Sequence, residues 1–272
     1  MLSSAVVIAI PSGFFGNPDV TVSVEELDIL IQELGYTDEE SLQFCSTNEQ
    51  ARSNEYVKEY KIPTTCTQPL AITLDRNGIV WFAQTNTGKV AKFDPLTETF
   101  TEYDNPVWDK IEKMWITAAL ENNVQPTKLR SMMWGMDYFP DGSIWFTDEA
   151  TDAIWKFSTD AESYVRISYT QMDEGKSSLP QKLIIEGSKI IINDFTGGRL
   201  SFLDYAQDKQ GLQHYAIPSV MEDAVTSDFA IDSDKNVWYT NWVPSGLGIL
   251  VKFDYPGYEF KSSQGEVTQG LL

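Results

Sequence analysis

Five polar side chains recur where an apolar segment gives way to a loop. Gln84 follows Val80-Trp-Phe-Ala, and Asp148 with Glu149 follows Ile144-Trp-Phe-Thr. Asp194 follows Ile190-Ile-Ile-Asn, and Asn241 follows Val237-Trp-Tyr-Thr. Carboxylate and amide oxygens are hard donors of the kind that hold calcium or magnesium, so Asp148, Glu149, Asp194 and Asn241 are the candidate metal ligands. Gln84, Trp134, Asp137 and Trp242 complete a candidate ligand-facing set. The same oxygens equally suit bonding to loop amides, and the residues alone leave both readings open. Proton transfer is poorly provided for. The single histidine, His214, lies in the segment Gln213–Ile217, which reads as a strand at the edge of its repeat. A general base must sit on the proton it removes, with a pKa near the working pH. No catalytic residue is assigned.

The elements that carry these side chains repeat. One copy reads Pro69-Leu-Ala-Ile-Thr-Leu-Asp75-Arg-Asn-Gly78-Ile-Val-Trp81-Phe-Ala-Gln84, then Val90-Ala-Lys-Phe-Asp94. A second runs Trp134-Gly-Met-Asp-Tyr-Phe-Pro-Asp141-Gly142-Ser-Ile-Trp145-Phe-Thr-Asp148, then Ile154-Trp-Lys-Phe157. A looser third spans Pro180 to Asp204, and a fourth runs from Phe229 through Asp232, Trp238 and Asn241 to Asp254. Each reads strand, tight turn, strand, loop, strand. Arg-Asn-Gly, Pro-Asp-Gly and Asp-Lys-Asn supply turn residues that tolerate positive φ. The flanking Ile, Val, Trp and Phe suit half-buried strands. Fourth strands are expected at Thr99–Tyr103, Tyr164–Tyr169 and Gln213–Ile217. The acids beside the turns, Asp75, Asp141, Glu186 and Asp232, fall 66, 45 and 46 residues apart. The last two intervals match a propeller blade repeat. The longer first interval is accounted for by an insertion over 107–133, with a helix from Asp109 to Asn122 signalled by Ile111, Met114, Trp115, Ala118 and Ala119.

The expected fold is therefore all-β: a β-propeller with four recognisable four-stranded blades over 55–272, open to being part of a larger ring. Tyr56–Pro63 reads as the outermost strand of a further blade. Ser23-Val-Glu-Glu26 and Thr37-Asp-Glu-Glu40 are capping boxes. They open helices at Val24–Leu34 and Asp38–Phe44 in a small cap over 1–54. Strand ends in a propeller converge on a channel, which makes the polar set above a ring. Trp81, Trp145 and Trp238 share one repeat position and are expected to pack blades together.

The pattern P-x-x-I-x-x-D-x-x-G-x-x-W-F-T, followed by I-x-x-F-D, resembles that of the streptogramin (virginiamycin B) lyases and their SMP-30 and NHL propeller relatives, over roughly residues 55–260. The resemblance implies a propeller of more blades, opening of a cyclic depsipeptide by elimination, an acid/base histidine and a magnesium ion. The relatives' histidine positions correspond here to Leu70, Trp134, Lys182 or Gln181, and Phe229. Their functional glutamate corresponds to Gln84, Asp148, Asp194 and Asn241. The pair is kept nowhere. The expected function is accordingly a binding or scaffolding module for a small molecule or protein at the channel. The alternative is a metal-dependent lyase or lactonase-like enzyme whose acid/base residues lie in blades outside this chain. Self-association, or a second chain completing the propeller, is a further expectation.

Bulk properties bound the partners. A formal charge of −20 repels phosphate backbones and anionic headgroups, which disfavours nucleic acid and bilayer surfaces. The apolar run Ala5–Ile10 is far too short to span a membrane, and it resembles a secretory signal remnant with no preceding Lys or Arg. Cys45 and Cys66 are the only cysteines. Bridged, they would close a loop of about 20 residues and contribute roughly 3 kcal/mol in the chain-entropy model, which points to an extracytoplasmic setting.

Overall fold

The computed structural model describes residues 29–30, 34, 53–168, 179–204, 214–217, 224–243 and 246–258. Four separate antiparallel sheets follow one another along the chain. The first blade is β1 (Pro69–Leu74), β2 (Val80–Gln84), β3 (Lys89–Asp94) and β4 (Thr99–Tyr103). The second is β5 (Met136–Tyr138), β6 (Ser143–Asp148), β7 (Ala153–Ser158) and β8 (Ser163–Ser168). The third is β9 (Pro180–Glu186), β10 (Lys189–Asp194), β11 (Arg199–Asp204) and β12 (His214–Ile217), and the fourth is β13 (Phe229–Ile231), β14 (Val237–Trp242) and β15 (Gly248–Phe253). Three blades thus have four strands. The fourth shows three, and the chain beyond 258 lies outside the described residues. His214 pairs opposite Leu203 in the outermost strand of its blade, as its sequence context implied.

A positive-φ residue closes the first hairpin of every blade: Gly78, Gly142, Gly187 and Lys235. In the fourth copy the strained conformation falls on Lys235. The acid at the turns of the first, second and fourth blades has a second task that the repeat did not announce. Asp75 Oδ1 accepts from the amides of Asn77 and Ile79, while Oδ2 accepts from Trp81 Nε1 at 3.1 Å. Asp232 repeats this with the amides of Asp234 and Asn236 and with Trp238 Nε1 at 2.8 Å. In the second blade Asp141 holds Ser143, whose hydroxyl accepts from Trp145 Nε1 at 3.0 Å. Lys92, Lys156 and Lys252 lie over the opposite faces of the network, 5.4–5.7 Å from the Trp81, Trp145 and Trp238 rings. The Asp-to-Trp spacing therefore records a latch that ties the turns of the first, second and fourth blades to the tryptophan of the following strand.

These donors, the Trp238 indole foremost, hold the Asp232 carboxyl down at about 2. Its folded pKa lies below that of an unfolded aspartate, so the stability it supplies is present above the ordinary carboxylate range and is lost as pH falls towards 2. The melting temperature of Asp232→Asn is expected to lie below wild type at pH 6, with the gap closing by pH 2. A gap independent of pH would show that the carboxylate charge is not what the latch uses.

Blades pack face to face through apolar side chains. Trp81, Ala83 and Val90 of the first meet Met136, Ile144, Phe146, Trp155 and Phe157 of the second. Trp145 and Ile154 meet Leu183, Ile190 and Ile192, and beyond them Leu200 and Phe202 meet Phe229, Val237 and Tyr239. Hence β6 is buried on both faces, where an antiparallel sheet commonly leaves one face to solvent. The Tyr164 hydroxyl adds a polar tie, donating to Tyr103 O at 2.7 Å and accepting from Val90 N at 2.8 Å.

The insertion forms α1 (Pro106–Glu121). It starts three residues before the expected Asp109 because Asn105 caps the Val107 and Trp108 amides and Pro106 occupies the first turn. Its buried stripe is Trp108, Glu112 and Ile116, spaced by four, and Trp115 is exposed. Glu112 accepts from Leu129 N at 3.3 Å, and burial pushes its carboxyl up.

Tyr56–Pro63 is not a strand. Only one bridge forms, Ser53 to Lys58, and β4 already supplies the fourth strand of the first blade. The segment instead crosses that blade's outer face. The Tyr60 ring lies tilted against Phe93, with centroids 4.4 Å apart, and Ile62 packs on the cluster of Phe82, Ala91 and Phe93. The expected cap over 1–54 falls outside the described residues, apart from a helical pair at Ile29 and Leu30 and the bond from Leu34 N to Leu30 O. No helix among the described residues is long and apolar enough to cross a membrane.

Candidate functional site

The ring candidates at the ends of the second strands lie inside the blades and do not line an opening. Gln84, Asp148, Asp194 and Asn241 are all buried. Asp148 accepts from Ser131 Oγ, from Thr151 Oγ1 and, at 2.9 Å, from Trp155 Nε1. Asp194 Oδ1 accepts from the amides of Leu179 at 3.0 Å and Gly197 at 3.1 Å, while Oδ2 faces Arg199 Nε at 3.5 Å. Burial pushes the Asp194 carboxyl up despite these partners. Gln84 donates to Glu102 at 2.7 Å, and Asn241 donates to Gly198 O at 3.1 Å, stitching the fourth blade to the third. Glu149 is spent on Trp134 Nε1 at 2.7 Å.

Among the proposed metal ligands, the carboxylates of Asp148 and Glu149 already have protein partners. Their oxygens serve hydroxyls and indoles, Asp194 Oδ1 serves loop amides while Oδ2 faces Arg199, and among the described residues no three His, Cys, Asp or Glu side chains are grouped to hold a metal. A buried carboxylate held by several donors lowers the energy of the loop it organises, and a metal at Asp148 would have to break those bonds.

The opening lies one strand further in. A cavity of about 390 Å³ is lined by Leu70 and Ile72 from β1, Trp134 to Met136, Gln181 to Leu183 from β9, and Ser227 with Asp228. These are the beginnings of the innermost strands of all four blades. By the sequence resemblance, Leu70, Trp134 and either Lys182 or Gln181 correspond to the histidine positions of the lyases, and Asp228 directly precedes the fourth such position, Phe229. One wall is apolar and aromatic, with Trp134 47% exposed. The other wall is charged. Lys182 Nζ donates to Asp228 at 2.6 Å and to Phe229 O at 2.8 Å.

Close approach of the inner strands shapes this cavity. Gly135 allows it: a Cβ there would lie 2.5 Å from Gln181 O and 2.6 Å from Leu183 N. Thr147 then joins three strands, accepting from Gly135 N at 3.1 Å and donating to Gln181 O. Asn193 does the same one blade later, accepting from Lys182 N and donating to Thr226 O, both at 2.7 Å. Neither Thr147 nor Asn193 was a sequence candidate. Their signal was their place, immediately before Asp148 and Asp194 in the repeat. Asp137 also serves packing, accepting from Ile185 N at 3.2 Å, and Trp242 reaches the cavity rim only through Ser227 Oγ at 3.0 Å.

Similarity to solved structures agrees with this architecture. A streptogramin B lyase matches at 18% identity and a TM-score of 0.50, over 73% of this chain and 59% of that one. The virginiamycin B lyase from Staphylococcus aureus matches at 16% identity and a TM-score of 0.51, over 73% of this chain and 60% of that one. A catalytically inactive form of the same enzyme with Quinupristin matches at 15% identity and 0.51, over 78% and 62%. The chain thus spans about three fifths of the length of each. No protein-family model and no curated protein sequence matches it. The fold is that of a streptogramin-lyase-like β-propeller.

Proposed function

We propose that this chain is an extracytoplasmic binding module that takes a ligand at the inner-strand cavity and lacks lyase chemistry. One observation carries the reading. Where the resembled enzymes have a histidine, this cavity presents Leu70, Trp134 and an ion-paired Lys182. An aliphatic and an indole side chain cannot move a proton, and the Lys182 ammonium is engaged by Asp228 and the Phe229 carbonyl. Apolar surface with a few convergent polar groups is instead the composition of a small-molecule site. The chemistry favours a ligand with an aromatic or branched apolar part and a polar group able to reach Lys182 or Asp228. A bridge between Cys45 and Cys66 belongs to the same proposal. No free cysteine occurs among the described residues, which supports it, although Cys45 lies outside them. The competing reading, a metal-dependent lyase or lactonase-like enzyme completed by residues elsewhere, draws on the three-fifths coverage of the lyases.

Saturation-transfer NMR with a panel of N-acyl aromatic amino acids and aromatic amides tests the site. Transfer is expected with the wild type and is expected to fall at least five-fold in Trp134→Ala, with Lys182→Ala selectively weakening the carboxylates. Absence of transfer, or transfer indifferent to both changes, would remove the cavity as a ligand site. Calcium or magnesium added in the same samples is expected to leave the melting temperature unchanged. A metal bound at a hundred times its Kd would add about 2.7 kcal/mol, and that shift would favour the enzyme reading.

A further inference from the structure

The internal blade junctions repeat closely enough to show what each end of the array is missing. On the face that each blade turns towards the next, Val90, Ile154 and Leu200 occupy one register position, opposite Ala83, Thr147 and Asn193. All three are fully buried by the following blade. The fourth blade has Leu250 there, opposite Thr240, and it is 67% exposed. Burial along β14 alternates strictly: Val237, Tyr239 and Asn241 are buried, while Thr240 and Trp242 are exposed.

The first blade shows the complementary gap. On the face that each blade turns towards its predecessor, Met136 and Phe229 are buried beside Tyr138 and Ile231. The matching residues of β1 are Ile72 and Leu74, opposite Phe82 and Val80, and they are 65% and 61% exposed. Tyr60 and Ile62 cover the outer part of this face, over Phe93 and Phe82, and leave its inner part open. Each end therefore displays the mate of the other.

We propose that two copies of this chain join head to tail, the fourth blade of each packing on the first blade of the other. The two junctions close on each other around a two-fold axis and give a ring of eight blades, within the range of four to eight that propellers adopt. Leu250, Thr240 and Trp242 meet Ile72 and Leu74 at each junction, as Val90 and Ala83 meet Met136 inside the chain. Such an arrangement is closed, so it stops at two. With −20 on each copy, long-range repulsion opposes it. Association should strengthen as salt rises through about 0.15 M, where charges beyond about 8 Å are screened.

Light scattering coupled to size exclusion on the full chain is the test. The wild type is expected at twice 30.7 kDa, and Leu250→Glu and Leu74→Glu are each expected at the monomer mass. Both sites are exposed in the single chain, so the fold should persist, and unchanged circular dichroism checks that it does. Val165→Glu, at an exposed site on the perimeter strand β8, should leave the dimer intact. Mixing the two single variants is expected to restore a dimer, because one junction then joins two unaltered faces. A monomeric wild type at every salt concentration, a dimer that survives both changes, or variants that fail to complement on mixing would each overturn the proposal.

Discussion

Asp148→Ala is expected to lower the stability of the fold by about 3 kcal/mol, with Asp148→Asn losing about half as much. Three donors converge on this carboxylate in a site closed to solvent: Ser131 Oγ, Thr151 Oγ1 and Trp155 Nε1. Removing the acceptor strands them, and an unsatisfied buried donor costs about 1–3 kcal/mol. Release of a buried charge offsets part of that sum. Asparagine keeps one oxygen but turns an amide N–H towards a donor. The ring contact between Trp155 and Phe146 lies directly behind, with centroids 6.2 Å apart, so the loss extends into the second blade's core. Chemical denaturation measures the change. Ligand transfer at saturating temperature margin should stay near wild type in the asparagine variant, whereas a residue that touches ligand would lose binding before stability.

Gly135→Ala is the second large effect, expected at about 3 kcal/mol. The added methyl would meet Gln181 O, Leu183 N and the Lys182 Cα at 2.5, 2.6 and 3.0 Å. All three are backbone atoms and cannot rotate away. Overpacking of this kind costs about 1–3 kcal/mol, occasionally more. The strain acts on the strand pair that frames the cavity, so it should also move Lys182 and weaken ligand transfer. Gly187→Ala is the control. It has open space around it but a φ of +60°, so alanine there should cost about 1–2 kcal/mol through backbone strain alone and leave binding unchanged. Equal effects at the two glycines would show that the inner strands are not in the close contact described.

Blade architecture was readable because turn chemistry and strand periodicity agree in most copies: Asn77-Gly78 and Asp141-Gly142 sit between apolar runs, and two of the three intervals are those of a blade. The fate of the polar strand ends was not readable. A carboxylate that ends a strand has the same sequence signature whether it faces a channel or a hydroxyl. For Asp148 the deciding partners are Ser131, 17 positions upstream, and Trp155 on the neighbouring strand. The cavity residues Leu70 and Lys182 stood in view only as departures from the lyase pattern. It took the convergence of β1 and β9 to make them a site. Tyr56–Pro63 was misread for a related reason. Alternation of apolar residues sets which side of a segment meets the protein, but not whether a partner strand is available, and this segment lays Tyr60 and Ile62 against a sheet face.

The most direct measurement incubates the protein with Quinupristin, in buffer containing magnesium, and follows the cyclic compound by chromatography against a linearised standard. An elimination that opens the ring leaves its mass unchanged, so retention time is the readout. The structure predicts that the peak stays at the cyclic position over many hours, at protein concentrations that quench Trp134 fluorescence if the compound binds. Growth of the linear peak in proportion to protein, abolished by changes at Lys182 or Trp134, would contradict a binding module and return the cavity to catalysis.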